Sequence, residues 1–131
     1  MQQRPINPWA WGDDFGISQA IEFSGQQRVL ICSGQTSVDE SGAPLHAGDA
    51  GAQIGQALDN LEAVLKKADM TLANVVRLNV YTPDVDGIFQ SWTVFADRLK
   101  AAGCKPACTL LGVARLFEME LLVEIEATAV A

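Results

Sequence analysis

Glu124 and Glu126 stand two residues apart in a run, Leu121 to Val130, where Val123, Ile125, Ala127 and Ala129 alternate with Leu122, Glu124, Glu126 and Thr128. Alternation of this kind predicts a half-buried strand, on which side chains at i and i+2 share a face. The two carboxylates therefore point the same way. Paired acids can position water, move a proton or meet a cationic ligand. The same spacing also describes the wet face of an antiparallel sheet, and alternation alone does not choose between the two. Cys108 is the second group with reactive potential, at the head of an apolar, β-branched stretch from Cys108 to Leu116. A thiol becomes a nucleophile when a neighbouring cation or histidine lowers its pKa, and only Lys105 is close in sequence. His46, the one histidine, lies in a loop of Asp, Glu, Ser, Gly and Pro from Val38 to Gly48, with no neighbour to make a catalytic pair. Three cysteines (Cys32, Cys104, Cys108) form no disulfide framework and, with one histidine, no zinc set. No metal site is expected, and free thiols point to a reducing compartment.

The elements that would position these groups follow from periodicity. Residues 5–16 contain Pro5, Pro8, Trp9, Trp11, Gly12 and Gly16, which suits an extended arm over residues 1–16 better than a helix. Trp9 and Trp11 are expected to pack that arm onto the body. Ser18 to Phe23 and Arg28 to Ser33 read as two strands joined by a polar turn. Asp49 is placed to cap a helix whose stripe is Ile54, Ala57, Leu58, Leu61, Val64, Leu65 and Ala68, with Gln53, Gln56, Asn60 and Lys67 on the polar side. Asn74 to Thr82 alternates as a strand, with Arg77, Asn79 and Tyr81 on one side, and Pro83 closes it. A second helix is predicted from Val85 to Ala102, with Phe89, Trp92, Phe95 or Ala96, and Leu99 along one stripe and Gly103 ending it. The order β-β-α-β-α-β-β in a single domain, 1–131, defines an α+β fold: one mixed β-sheet with two helices packed on one face. The uncovered face of such a sheet predicts self-association.

Composition excludes several partners. Nine Lys and Arg against sixteen Asp and Glu give a net charge of -7, with the cations scattered, so nucleic acid is not an expected partner. The amino end lacks a basic start followed by an apolar run, and no later stretch has the length and apolarity of a membrane span. A cytoplasmic location is expected.

Pro106, Ala107 and Thr109, then Val113-Ala114-Arg115-Leu116, then Val123-Glu124-Ile125-Glu126-Ala127, resemble the carboxyl-terminal signature of the RidA (YjgF/YER057c/UK114) family. Ser18-Gln19-Ala20, Ser33-Gly34-Gln35 and Ala57-Leu58-Asp59-Asn60-Leu61 extend the resemblance over most of the chain. It implies a chorismate-mutase-like, RidA-type fold, a homotrimer with clefts between subunits, and hydrolysis without a cofactor of a reactive imine or enamine to a 2-keto acid and ammonia. Glu124 matches the glutamate that handles water, and Gly34 the glycine whose amide faces the ligand. Three positions depart from the family pattern. Ile17 replaces a tyrosine, Trp92 replaces an asparagine, and Cys108 replaces the arginine that grips the substrate carboxylate.

A thiol cannot reproduce a bidentate guanidinium. The loss costs about 1.5 to 3 kcal/mol per charge-assisted bond, roughly ten- to more than a hundredfold in affinity. Arg115, seven residues further along the expected strand, would face the other side about 20 Å away, and Lys105 offers a point charge without the fork. The resemblance thus implies an imine or enamine deaminase with an altered substrate grip. The competing class is a non-catalytic trimer that binds a small metabolite, and an endoribonuclease is disfavoured by charge.

Overall fold

The computed structural model describes all 131 residues. Its strands are β1 (Gln2–Ile6), β2 (Ala20–Ser24), β3 (Val29–Thr36), β4 (Val75–Thr82), β5 (Ala107–Gly112) and β6 (Glu124–Val130). Its helices are α1 (Ala50–Lys67), α2 (Val85–Gln90) and α3 (Trp92–Ala101), with 3-10 turns at Trp11–Phe15 and Leu72–Asn74. No helix is long and apolar enough to cross a membrane.

The carboxylate of Asp49 accepts the Ala52 amide at 3.0 Å and so starts α1. Lys66 and Lys67 in its last turn complement the negative end of the helix dipole. The predicted stripe is inside: Ile54, Ala57, Leu58, Leu61 and Leu65 are buried, and each large side chain contributes about 1.5 to 3 kcal/mol by leaving water. Gln53, expected on the polar side, is also fully buried. Its amide nitrogen donates to the carbonyls of His46 (3.2 Å) and Glu120 (2.8 Å), and its oxygen accepts the Leu122 amide at 2.8 Å. The helix thereby fastens two loops that no local periodicity could connect to it.

Four strands form a mixed sheet in the order β3-β6-β4-β5, with β6 antiparallel to both neighbours and β4 parallel to β5. A parallel pair needs a crossover, which α2 and α3 supply. Leu78, Val80, Ile125, Ala127 and Cys32 point into the core with Phe95, Leu99 and the α1 stripe. The α+β fold with a mixed sheet and helices on one face is as expected, with three differences.

The second predicted helix is broken at Ser91 (φ -110°, ψ 12°), so Phe89 ends exposed while Trp92 and Phe95 stay inside. The expected arm is extended only at its start, where Gln2–Ile6 pairs antiparallel with β2; Trp11–Phe15 is a 3-10 turn. This hairpin joins the main sheet through a single parallel bridge, Ser18 to Ala107. Trp9 and Trp11 do not pack onto the body: they remain 66% and 56% exposed, with Trp11 meeting only the edge of Phe15 among the aromatic rings.

Candidate functional site

On the side of the sheet away from the helices, strand register fixes which residues meet. Tyr81 lies opposite Glu124, Asn79 opposite Glu126, and Arg77 opposite Thr128. On the other flank of β4, Thr109 pairs with Asn79 and Leu111 with Tyr81. Glu124 and Glu126 therefore share the open face, as their spacing predicts.

Their surroundings differ. Glu126 accepts the Tyr81 hydroxyl at 2.5 Å and the Asn79 amide nitrogen at 3.1 Å. The Asn79 oxygen is held by Arg77 Nε at 2.9 Å, and Arg77 Nη2 donates to the Thr109 hydroxyl at 2.8 Å. The bonds from Tyr81 and then Asn79 hold the Glu126 carboxyl below the usual carboxylate range, and the hydrogen bond to Glu126, then burial and the Glu126 charge, push the Tyr81 phenol up. Glu124 is pushed upward instead, first by burial and then by the charge of Glu126.

Glu124 rests against Gly34. β3 carries a register irregularity between Cys32 and Gln35, which brings its backbone under the β6 acid. A Cβ at position 34 would come within 2.6 Å of the Glu124 carboxyl carbon and 2.8 Å of its Cγ. Glycine is required there for close approach, not for an unusual dihedral. Gly34 and Glu124 are thus brought together within one chain.

The other three candidates lie elsewhere. Cys108 pairs with Leu78, so its side chain shares the core face of the sheet, and burial pushes its thiol up to about 11 despite the nearby Arg77 charge. At neutral pH it is a neutral thiol, not an activated nucleophile. Ile17 packs partly buried against the core. Trp92 is buried, packs against Phe95 with ring centres 4.9 Å apart and planes tilted by 42°, and donates its indole N–H to the Phe15 carbonyl at 2.9 Å. Within one chain Cys108 and Glu124 occupy opposite faces of the sheet. Arg115 lies beyond the end of β5, with its guanidinium on the carbonyls of Leu116 and Phe117, so the expected strand to Leu116 stops four residues short. No group of three or more His, Cys, Asp or Glu side chains could hold a metal ion.

Sequence reasoning passed over Tyr81, Asn79, Arg77 and Thr109. Arg77, Asn79 and Tyr81 alternate onto one face of β4, but which acid they meet depends on the β4–β6 register, and Thr109 joins them only through the β4–β5 register.

Fold and site define a small α+β sheet domain with an uncovered face, whose acid pair is flanked by a close-approach glycine and a hydrogen-bonded tyrosine. The chain belongs to the family described as Endoribonuclease L-PSP, the RidA/YjgF family, whose model matches residues 16–131. It is 31% identical over 126 residues to a RutC family protein of Pyrococcus horikoshii, covering 96% of this chain and 89% of that one. It is 29% identical over 128 residues to the 2-iminobutanoate/2-iminopropanoate deaminase of Escherichia coli, covering 95% and 88%. Among solved structures, the Rid-family protein YyfB of Yersinia pestis matches with a TM-score of 0.87 and 35% identity over all of both chains. The Escherichia coli YjgF gene product matches at 0.70 with 28% identity over 86% of each.

Proposed function

We propose that this protein hydrolyses a small imine or enamine to a carbonyl compound and ammonia, using Glu124 and water. The observation that carries the proposal is the state of Glu124: a carboxyl seated on the Gly34 backbone, raised by burial and by Glu126, on the uncovered sheet face. An acid with raised pKa is a better proton acceptor than an ordinary surface carboxylate. Trp92, Ile17 and Cys108 pack toward the helices and leave the surroundings of Glu124 polar. The likeness to a 2-iminobutanoate/2-iminopropanoate deaminase supports the same reaction class.

The working unit of this proposal is a homotrimer with the site in the cleft between copies. Val29, Ile31 and Leu111 on the open face are 53%, 73% and 52% exposed, apolar area that a second copy would remove from water. Cys108 makes the preferred substrate a small imine without a free 2-carboxylate, or one held by a different group. Three free thiols fit a cytoplasmic setting. A net charge of -7 disfavours RNA as substrate.

The second reading, a trimer that binds a metabolite without turning it over, is favoured by the same Cys108 substitution. The test compares native protein, Cys108→Arg and Glu124→Ala on 2-iminobutanoate generated in situ. The expected result is slow keto-acid release by native protein, a gain of roughly tenfold or more in kcat/KM from Cys108→Arg, and loss of activity in Glu124→Ala. If native protein and Cys108→Arg are both inert while folded and assembled, the binding role replaces catalysis.

A further inference from the structure

Hydrogen bonding on the open face is lopsided. Glu126 takes two donors from β4, Tyr81 at 2.5 Å and Asn79 at 3.1 Å, and Arg77 braces Asn79 from behind. Glu124 faces the same way two residues earlier and is perturbed only by burial and by Glu126, with no hydrogen bond among the causes. Two carboxylates on one face with unequal partners are driven to different protonation behaviour, a pattern by which acid and base roles are divided.

We propose that Tyr81 and Asn79 are positioning residues that fix Glu126 as a standing anion beside Glu124, making Glu124 the proton-accepting member of a carboxylate pair. For its substrate the inference rests on the deaminase proposal; the pairing itself is a property of the free protein. The groups facing Glu124 are Glu126 on its own strand and Tyr81, with Arg77 beyond it, on β4. β3 offers the Gly34 backbone, and β5 lies beyond β4 with Leu111 in the row of Tyr81 and Glu124, so no histidine or lysine of these strands competes for the proton. The phenol of Tyr81, protonated at neutral pH at its ordinary value, is pushed further up by the hydrogen bond it donates to Glu126 and then by burial.

In the reaction, water gives a proton to Glu124 as its oxygen bonds to the iminium carbon, and the C=N π pair moves to nitrogen. Glu124 returns that proton to the amine. It then takes the hydroxyl proton while the carbonyl forms and the C–N bond breaks, and hands it to the departing ammonia. Iminium and water thus become carbonyl and ammonium, with Glu124 restored and Glu126 ionised throughout.

The test titrates the side-chain carboxyls of the full chain, with 13C-labelled glutamate, by NMR, assigning two resonances with Glu124→Gln and Glu126→Gln. In native protein Glu126 is expected to titrate below Glu124. Glu126→Gln lowers the Glu124 midpoint, and Tyr81→Phe, which keeps the ring, raises the Glu126 midpoint and narrows the gap. On the imine substrate, the acid limb of kcat/KM follows the Glu124 midpoint and moves with it, while Tyr81→Phe lowers kcat about tenfold with KM unchanged. A Glu124 midpoint identical in native protein and Glu126→Gln, or a native order with Glu124 below Glu126, overturns the pairing. The expected titration order in a protein inert toward imines upholds the pair and sinks the deaminase proposal instead.

Discussion

Gly34→Ala separates the catalytic use of close approach from its structural use. The added methyl would sit 2.6 Å from the carboxyl carbon of Glu124, whereas ordinary van der Waals contact begins at 3.4 Å. The backbone dihedral of Gly34 is one that alanine adopts freely, because it is absent from the glycines with positive φ. The collision therefore falls on the Glu124 side chain from Cγ to its carboxylate, which must retreat by roughly 1 Å. Displacement on that scale, near 1 Å, costs about a hundredfold in rate when it moves the group that activates water. Stability changes by less than ~0.5 kcal/mol, since no buried contact is lost and alanine restricts the unfolded chain slightly more than glycine. The assay pairs urea unfolding with keto-acid release from 2-iminobutanoate, using Cys108→Arg as the parent if native turnover is too slow to measure. Full activity in Gly34→Ala would refute the assignment of Glu124 as the acting carboxyl. A loss of several kcal/mol would show instead that Gly34 serves the sheet.

Other outcomes follow from the same geometry. Cys108, with its thiol near 11, should react with iodoacetamide at pH 7.5 about a hundredfold more slowly than an exposed cysteine, measured by mass spectrometry of the modified peptide. Trp92→Phe keeps an aromatic ring but removes the indole N–H on the Phe15 carbonyl, and should cost about 1 to 3 kcal/mol in urea unfolding. Glu124 ionises against burial and against Glu126, so its folded pKa is raised and the charge destabilises the fold above that value. Glu124→Gln should accordingly melt higher than native at pH 7, with the difference vanishing below the ordinary carboxylate range. Glu126, whose folded pKa is depressed, should show the opposite: Glu126→Gln melts lower at pH 7, and that deficit disappears as pH falls through the native Glu126 midpoint.

Elements carried by period and punctuation were legible from residues alone. The α1 stripe and its Asp49 cap, the alternation around Arg77, Asn79 and Tyr81, and the shared face of Glu124 and Glu126 are all local signals. What local pattern could not supply was register and loop capture. Gln53 looked like a surface residue because its partners, the carbonyls of His46 and Glu120, lie 7 and 67 positions away. Gln2–Ile6 did not read as a strand because Pro5 and a run of polar residues mask an edge that nonetheless pairs with β2. Family resemblance gives Cys108 the position of the carboxylate grip and Glu124 that of the water-handling acid, and only the pairing of Cys108 with Leu78 puts the two on opposite faces of one chain. The Tyr81–Glu126 contact needed two strands 45 residues apart to be set side by side.

The place of β6 matters for how the protein is made. The final strand of the chain is an interior strand of the sheet, wedged between β3 and β4, and it supplies the only pairing that joins them. On the ribosome, β3 and the β4–β5 pair emerge first as separate pieces, each with a bare edge where β6 will go. No sheet-wide core can close until residues 124–130 have left the exit tunnel, so the two halves of the sheet wait for β6. A chain stopped before residue 124 would lose Glu124 and Glu126 and, with them, the seam that holds the two halves together. Shortened translation products should therefore appear as unfolded or aggregated material, not as folded protein without activity.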